Sequence, residues 1–276
     1  MRPLSGVLKK IVDYKKLEVN QKKKEISIEQ LKSQITDKKT KKSLYQALKR
    51  PGEVSIIAEL KRKSPSKGLL RPNFNPEEII TSYTRAGAAA LSVLTDENFF
   101  GGSPEYLKLA SGLTPLPLLR KDFIIDEYQI YEAKLLGADA VLLITRALTN
   151  QTLLSFYKLT RQLGMEALVE VHREEELAVV FRAGVKIIGI NNRNLETFQT
   201  DIDHTLRLIE KINDPGVAVV SESGIKTCED ILTLKSAGVD AVLVGEAFMV
   251  RPDPGEGVRE LRGFVGLADG RRVENA

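Results

Sequence analysis

Four charged side chains stand at the ends of short apolar runs, where they could transfer protons. Glu59 and Lys61 close one run, Lys121 closes a second and Glu170 lies near the end of a third. Residues two apart in an extended segment project from the same face, so Glu59 and Lys61 are expected to be neighbours. A buried carboxylate needs a cationic partner. The two groups therefore form either a plain ion pair or, with Lys121 and Glu170, an acid–base site for an anionic substrate.

Eight such runs recur from residue 54 onward, separated by amphipathic stretches with helix signals. Asn75 followed by Pro76 predicts a helix start, and that helix should end at Gly87. Thr227 predicts another start, with its end at Gly238. One run is weaker than the others, because its prolines suit the start of a strand better than its middle. The eight runs are 54–60, 90–95, 115–123 (the weaker one), 138–145, 167–171, 186–190, 217–221 and 240–245.

Four similar segments form a weak internal repeat, namely RAGAAALSVL, LLGADAVLLI, RAGVKIIGI and SAGVDAVLVG. Each places a helix-ending glycine just before an apolar run, and these glycines are about 50 residues apart. Such an interval holds two strand–helix units, so four copies imply eight. The pattern predicts an α/β protein, a (β/α)8 TIM barrel with an N-terminal helical extension. A doubly wound open sheet is the alternative, but no G-x-G-x-x-G follows the first run.

In such a barrel the active site lies at the carboxyl ends of the strands. Asn191 and Arg193 follow the sixth run and join the four charged groups there. Ser223 and Gly224 follow the seventh run, and Gly245 ends the eighth. Their backbone N–H groups, beside a helix N-terminus, predict a phosphate site. Because positive charges crowd this end of the barrel, we expect the pKa of its lysines to be lowered.

The composition is that of a globular protein, with 42% hydrophobic and 28% charged residues over 276 positions. A single cysteine, Cys228, excludes a disulfide framework and suits a reducing compartment. No apolar stretch approaches the ~20 residues of a transmembrane helix, and no signal peptide is recognisable. We expect a cytoplasmic protein without a metal motif. His172 is interpreted as an ordinary core or loop histidine, and His204 has no assigned role.

The first 50 residues are strongly basic. They hold 15 basic and 5 acidic side chains, whereas the rest of the chain holds 26 basic and 32 acidic ones. Aliphatic residues recur among the lysines at helical spacing, which predicts a solvated helical extension. Nucleic-acid binding is the alternative, but arginines and aromatic side chains are scarce here, so we expect neither a nucleic-acid nor a membrane partner. The aliphatic positions are Leu8, Ile11, Leu17, Ile26, Leu31, Ile35, Leu44 and Leu48.

Eight motifs in order resemble the indole-3-glycerol phosphate synthase family of tryptophan biosynthesis. The resemblance spans roughly residues 5–260 and includes every strand end. It implies an extension at 1–50 that packs on the active-site side of a catalytic barrel at 51–265, followed by a polar tail at 266–276. The motifs are IIAELKRKSPSKG, SVLTDENFFGGS, LLRKDFIID, LLGADAVLLI, LVEVH, IIGINNRNLETF, SESGI and VLVGEAFM.

The resemblance implies a carboxy-lyase that acts on a small anionic substrate. We expect it to use no cofactor and to act as a monomer. The substrate, 1-(2-carboxyphenylamino)-1-deoxyribulose 5-phosphate, would be closed, decarboxylated and dehydrated to indole-3-glycerol phosphate. Lys121 would be the general acid that protonates the ribulose carbonyl, and Glu170 the second acid–base group, used in dehydration. Lys61 would hold the substrate carboxylate and assist proton transfer. Glu59 would orient the lysines and contact the sugar hydroxyls.

The same resemblance implies which residues hold the rest of the substrate. Phe100, Leu142 and Leu195 would wall the aromatic ring, while Asn191 and Arg193 would line the carboxylate and hydroxyl side. Glu246 stands where many relatives have serine, and its carboxylate would repel the phosphate unless its side chain points away. The residues implied around the phosphate are Ser64, Ser223, Gly224, Gly245 and Glu246.

A related phosphate-binding barrel enzyme, such as phosphoribosylanthranilate isomerase, is the alternative. That enzyme would be expected to use a cysteine–aspartate acid–base pair. The sole cysteine, Cys228, falls instead at a predicted helix start. The isomerase is therefore the second choice.

Overall fold

The structure, a computed structural model, describes residues 6–36, 42–194 and 197–265. The predicted polar tail at 266–276 lies outside these ranges, as does Leu195. Within them, no helix is both long and apolar enough to cross a membrane. The elements are, in chain order, α1 (Gly6–Glu25), α2 (Ile28–Gln34), α3 (Leu44–Leu48), β1 (Ser55–Leu60), β2 (Lys63–Ser64), β3 (Gly68–Leu69), α4 (Pro76–Arg85), β4 (Ala90–Leu94), α5 (Glu97–Phe100), α6 (Pro104–Leu113), β5 (Leu118–Lys121), α7 (Glu127–Leu135), β6 (Ala140–Ile144), a 3-10 turn (Thr145–Ala147), α8 (Asn150–Gln162), β7 (Glu166–Val171), α9 (Glu174–Arg182), β8 (Ile187–Asn191), α10 (Asp203–Ile209), β9 (Ala218–Glu222), α11 (Cys228–Ser236), β10 (Ala241–Val244), α12 (Glu246–Met249) and α13 (Pro254–Val265).

Eight of these strands close into a barrel in which every neighbouring pair is parallel. β1 pairs with both β4 and β10, and the strands between them follow chain order. The two remaining strands, β2 and β3, form a small antiparallel hairpin in the loop after β1. The barrel strands are rich in aliphatic residues because both of their faces are buried. The (β/α)8 prediction is confirmed, and the open-sheet alternative is wrong.

The local signals for strands and helices also match the structure. The weak run at 115–123 forms β5, which begins at Leu118, directly after the second of its prolines. Asn75 caps α4, and its side chain accepts hydrogen bonds from the backbone of Glu77 and Glu78. The glycine of each repeated segment has a positive φ, which only glycine adopts at little cost. These glycines are Gly87, Gly137, Gly184 and Gly238.

Helix α3 closes the end of the barrel where the strands begin. Leu44 and Leu48 are fully buried against the side chains that fill the barrel interior. Ser43 Oγ and the backbone N–H of Tyr45 each donate a 2.9 Å hydrogen bond to the Glu166 carboxylate at the start of β7. This part of the N-terminal extension is therefore built into the core. The interior side chains include Ile57, Ala90, Leu119, Ala140, Leu142, Leu168, Ile187 and Leu243.

Helix α1 lies at the opposite end, where the strands end. Leu8 lines the cavity there. Lys22 Nζ lies 3.1 Å from Glu132 Oε1, and Lys23 Nζ lies 2.7 Å from Asp126 Oδ2. Acidic groups of the barrel thus neutralise part of the basic charge of the extension. This favours a docked helix over a nucleic-acid-binding arm.

The apolar face predicted for the extension is partly wrong. Leu8 and Ile11 are buried, but 68% of Leu17 and 43% of Ile26 are exposed. Lys15 is fully buried instead. Helical spacing alone cannot show this, because the buried face also packs against charged loops of the barrel.

Candidate active site

A cavity of about 330 Å³ opens at the carboxyl ends of the barrel strands. Strands from opposite sides of the barrel contribute to it, since β1 supplies Glu59, β5 supplies Lys121, β7 supplies Glu170 and β9 supplies Glu222. The loops that follow the strands complete the lining. The predicted site residues that line this cavity are Glu59, Lys61, Phe100, Lys121, Leu142, Glu170, Asn191, Arg193, Ser223, Gly224, Gly245 and Glu246.

Two lysines and three carboxylates form the charged centre of the cavity. Lys121 Nζ lies 2.6 Å from Glu222 Oε2 and 3.7 Å from Glu170 Oε2. Lys61 Nζ lies 2.5 Å from Glu59 Oε1. The three carboxylates are almost completely buried, and the two lysine side chains are largely so. Charge interactions are stronger in such an environment than in water.

Burial and charge move the pKa values of the three carboxylates in different directions. Burial raises the pKa of Glu222 to about 7, although Lys121 opposes the rise. Burial likewise raises the pKa of Glu170 against the effect of Lys121. For Glu59, the positive charges of Lys61 and Lys121 outweigh burial and lower the pKa. Glu59 therefore stays ionised, whereas Glu222 can hold a proton near neutral pH.

The prediction that nearby positive charges lower the pKa of the lysines is wrong for Lys121. Burial acts in that direction, but the negative charges of Glu222, Glu170 and Glu59 outweigh it and raise the pKa above its ordinary value. Lys121 is thus a firmly protonated ammonium group.

Two glycines, which have no side chain, make room for two of the buried carboxylates. A Cβ atom on Gly189 of β8 would lie 2.1 Å from Glu222 Oε1, and one on Gly245 would lie 2.5 Å from Glu59 Oε1. Real Cβ atoms do not approach other atoms so closely, so any larger residue would displace the carboxylates. The positions of Glu222 and Glu59 thus depend on these two glycines.

One side of the cavity is apolar. Phe100 and Phe123 lie with ring centroids 5.8 Å apart, and Leu142, Ile144 and Leu8 extend the same wall. An aromatic ring would bury its faces there without losing polar contacts. Leu195, implied for the same wall, lies outside the described residues.

The other end of the cavity can hold an anion. Ser223 has φ +69° and Gly224 φ +85°, so the chain turns sharply after β9. Left-handed backbone at a residue other than glycine is uncommon and concentrates at binding sites. Gly245 caps α12 on the neighbouring strand, and Lys67 and Lys226 add positive charge. This combination suits a phosphate group.

Ser64 and Glu246 lie at different positions relative to the anion-binding end of the cavity. Ser64 does not line the cavity, but its Oγ accepts a 3.2 Å hydrogen bond from the backbone of Lys67, so it shapes the loop that carries Lys67. Glu246 lies at the rim, and its Oε2 is 3.5 Å from Arg193 Nη2. Arg193 thereby offsets the negative charge of Glu246.

Sequence comparison finds relatives along almost the whole chain. The family model described as indole-3-glycerol phosphate synthase matches residues 8–261. A protein of that name from Carboxydothermus hydrogenoformans is 49% identical over 260 residues, which cover 92% of this chain and 98% of the relative. Another, from Alkaliphilus metalliredigens, is 45% identical over 95% of this chain and all of the relative. The chain belongs to the indole-3-glycerol phosphate synthase family.

Solved structures agree on the fold. KGPDC from Streptococcus mutans superimposes with a TM-score of 0.59, at 14% identity over 77% of this chain and 97% of that chain. A 3-hexulose-6-phosphate synthase gives a TM-score of 0.61, at 16% identity over 76% and 99%. At this identity the likeness shows a shared TIM barrel alone. The isomerase alternative is not favoured, and Cys228 does not line the cavity.

Sequence reasoning missed several residues of this synthase-family site, among them Phe123, Ile144 and Lys226. Glu222 lies within the motif SESGI and contacts Lys121 directly. A carboxylate at a buried strand end, the signal used for Glu59, also marks Glu222. Lys67 and Leu8 reach the cavity from the hairpin loop and from helix α1. Only the tertiary arrangement reveals those two.

His172 is buried, as expected of a core histidine, but it also lies beside the site. Its Nε2 is 3.5 Å from Glu170 Oε1, and burial lowers the pKa of His172 to about 4. The imidazole is therefore neutral near pH 7. Among the described residues, no group of three His, Cys, Asp or Glu side chains is arranged to hold a metal ion.

Proposed function

We propose that this chain forms indole-3-glycerol phosphate from 1-(2-carboxyphenylamino)-1-deoxyribulose 5-phosphate, with release of CO2 and water. The proposal rests on one observation. Buried carboxylates hold the protonated Lys121 beside an apolar wall. An acid next to an aromatic-ring pocket is what ring closure onto a carbonyl requires. Membership of the synthase family supports the same reaction.

The substrate would lie along the length of the cavity. Its phosphate would sit at Ser223 and Gly224, where backbone N–H groups and Lys226 can stabilise a dianion. Its aromatic ring would pack on the apolar wall that includes Phe100. Lys61 would attract the ring carboxylate. This placement brings the ribulose carbonyl toward Lys121.

Ring closure forms a bond between an aromatic carbon and the carbonyl carbon. As the bond forms, negative charge develops on the carbonyl oxygen, and Lys121 would transfer a proton to it. The interaction strengthens in the transition state, which is why it accelerates the reaction. Glu222, 2.6 Å from Lys121 Nζ, would hold the ammonium in place.

Aromaticity is restored in two later steps. The carboxylate leaves as CO2, and its bonding electrons return to the ring. The new hydroxyl then leaves as water, which requires an acid for the hydroxyl and a base for a proton of the intermediate. Glu170 would be the base, because its ionised form faces Lys121, and Lys61 with Glu59 would assist proton transfer.

The direct test is indole fluorescence after mixing the purified protein with the substrate. The chain has no tryptophan, so an indole signal can come only from product. We expect turnover by the unchanged chain, a loss of about 10²-fold or more in kcat/KM for Lys121→Met, and no change for the exposed Lys108→Met. Folded, unchanged protein without turnover would overturn the proposal. Turnover that survives in Lys121→Met would move the acid role to Lys61.

We further propose that the enzyme acts as a monomer in the cytoplasm. Sedimentation velocity at assay concentration would test the first part, and cell fractionation the second. A dimer or larger species would contradict the monomer proposal without affecting the catalytic one.

A further inference from the structure

Lys15 occupies an unusual position on a helix covered with lysines. The side chain of its neighbour Lys16 is 60% exposed, whereas that of Lys15 is fully buried. Burying an ammonium group is costly unless it is closely paired. A cation at this position therefore makes specific contacts with the part of the barrel on which α1 lies.

The Lys15 ammonium bridges two loops of the active-site end. Its Nζ lies 3.0 Å from Asp96 Oδ2, after β4, and 3.0 Å from Asp122 Oδ1, after β5. Glu18, one turn along α1, lies 2.8 Å away. Burial would lower the pKa of Lys15, but the three carboxylates outweigh it and raise the pKa above its ordinary value. The cluster is therefore fully charged.

One of these contacts holds the backbone of Lys121. Asp122 follows Lys121 directly, at the end of β5. Arg120 does not line the cavity, and its Nη2 lies 3.1 Å from Asp122 Oδ2, whereas Lys121 and Asp122 both line it. Lys15 completes this charged cluster. The residues before and after Lys121 are therefore tied to each other by an ion pair, and Lys15 holds one of them.

The second contact holds the aromatic wall. Asp96 Oδ1 accepts hydrogen bonds from the backbone of Phe99, at 2.7 Å, and of Phe100, at 3.2 Å, and so caps α5. Phe100 lines the cavity. The remaining oxygen of Asp96 pairs with Lys15. A single side chain of α1 therefore links the two loops that hold Phe100 and Lys121 in place.

We propose that Lys15 is a positioning residue, through which docking of helix α1 sets Lys121 and Phe100 in their catalytic arrangement. The proposal rests on the function proposed above. Misplacing a catalytic group by about 1 Å can lower a rate by about 10²-fold. Lys15 itself does not line the cavity, so its loss should affect the chemical step more than substrate binding.

The test compares Lys15→Met and Lys15→Arg with Lys16→Met, the matched control on the exposed face. At a temperature where circular dichroism shows each variant folded, we expect Lys15→Met to lower kcat about tenfold or more and KM by less than about threefold. Lys15→Arg, which keeps the charge, should recover most of kcat. Lys16→Met should match the unchanged chain. A folded Lys15→Met with unchanged kcat, or no recovery by Lys15→Arg, would overturn the proposal.

Hydrogen exchange gives a readout independent of catalysis. Lys15→Met should speed exchange in peptides covering 94–103 and 118–126, and Lys16→Met should not. If Lys15→Met fails to fold, Asp96→Asn replaces it, because asparagine still caps a helix but lacks the charge that holds Lys15. Unchanged kcat and exchange in Asp96→Asn would overturn the proposal. Absence of turnover in the unchanged chain would refute the proposed function alone, since the exchange experiment would still report on Lys15.

Discussion

Replacing Glu222 by glutamine tests the electrostatics of the site with almost no change in shape. Glu222 and Glu170 contact the same Lys121 ammonium at 2.6 and 3.7 Å, so the contacting oxygens are at most about 6 Å apart. Each carboxylate makes it harder for the other to ionise. Glu222→Gln removes one of the two negative charges and leaves Lys121 to act more strongly on Glu170. The pKa of Glu170 should therefore fall.

The separation of the two carboxylates sets the size of the effect. At an effective dielectric constant of about 20, two charges about 6 Å apart repel by about 3 kcal/mol, which corresponds to about 2 pKa units. Because Glu222 is itself partly protonated near pH 7, only part of its charge acts on Glu170 there. The shift should therefore be smaller than the full interaction of about 2 units.

The assay is kcat/KM between pH 5 and 9, which reports the ionisation of the free enzyme. If Glu170 must be ionised to act as a base, activity falls on the acid side. In Glu222→Gln that limb should move toward lower pH, by more than about 0.3 unit and less than about 2 units. The exposed Glu210→Gln should leave it in place. A limb that stays within about 0.3 unit in Glu222→Gln would refute the coupling between the two carboxylates.

Three further changes probe the frame around the site. Gly245→Ala would push its Cβ to within 2.5 Å of Glu59 Oε1, so kcat/KM should fall about tenfold or more, whereas the unobstructed Gly112→Ala should not change it. Leu48→Ala should lower the free energy of unfolding by about 2–5 kcal/mol in denaturant titrations, because it leaves a cavity at the closed end of the barrel. KM should stay constant, since this end is far from the substrate. The raised pKa of Glu222 means that the folded chain binds more protons than the unfolded one from pH 4.5 to about 7. The bound proton of Glu222 should therefore stabilise the folded chain by up to about 3 kcal/mol below pH 4.5, and this stabilisation should be lost by about pH 7. In urea titrations, Glu222→Gln should lack this fall in the free energy of unfolding with rising pH.

The fold could be predicted because its signals are local. Apolar runs, helix caps such as Asn75 and glycines such as Gly87 mark each element within a few residues. The location of the site could be predicted from the barrel fold, since the carboxyl ends of all eight strands meet at one opening. Lys121 and Glu170 are distant in sequence, yet this geometry alone places them together.

The contributions of helix α1 could not be predicted in the same way. Which face of that helix is buried depends on the loops against which it packs, and those loops carry acidic groups. Lys15 therefore lies on the buried face, where an aliphatic residue would be expected, while Leu17 is exposed. The pKa of Lys121 shows the same limit, because the sequence does not reveal that three carboxylates surround it.

The corrected pKa of Lys121 changes how the site handles protons. A lysine with a lowered pKa would lose its proton to water, whereas in the proposed reaction Lys121 would keep it until the carbonyl oxygen becomes basic during ring closure. Once the proton has left, the neutral amine remains among buried carboxylates, where a positive charge is strongly favoured. Glu222, 2.6 Å away and with a pKa of about 7, is placed to return a proton to it. In the proposed reaction the site would thus reset its acid internally, and Glu170, 3.7 Å from Lys121 Nζ, would contact the same ammonium group during dehydration.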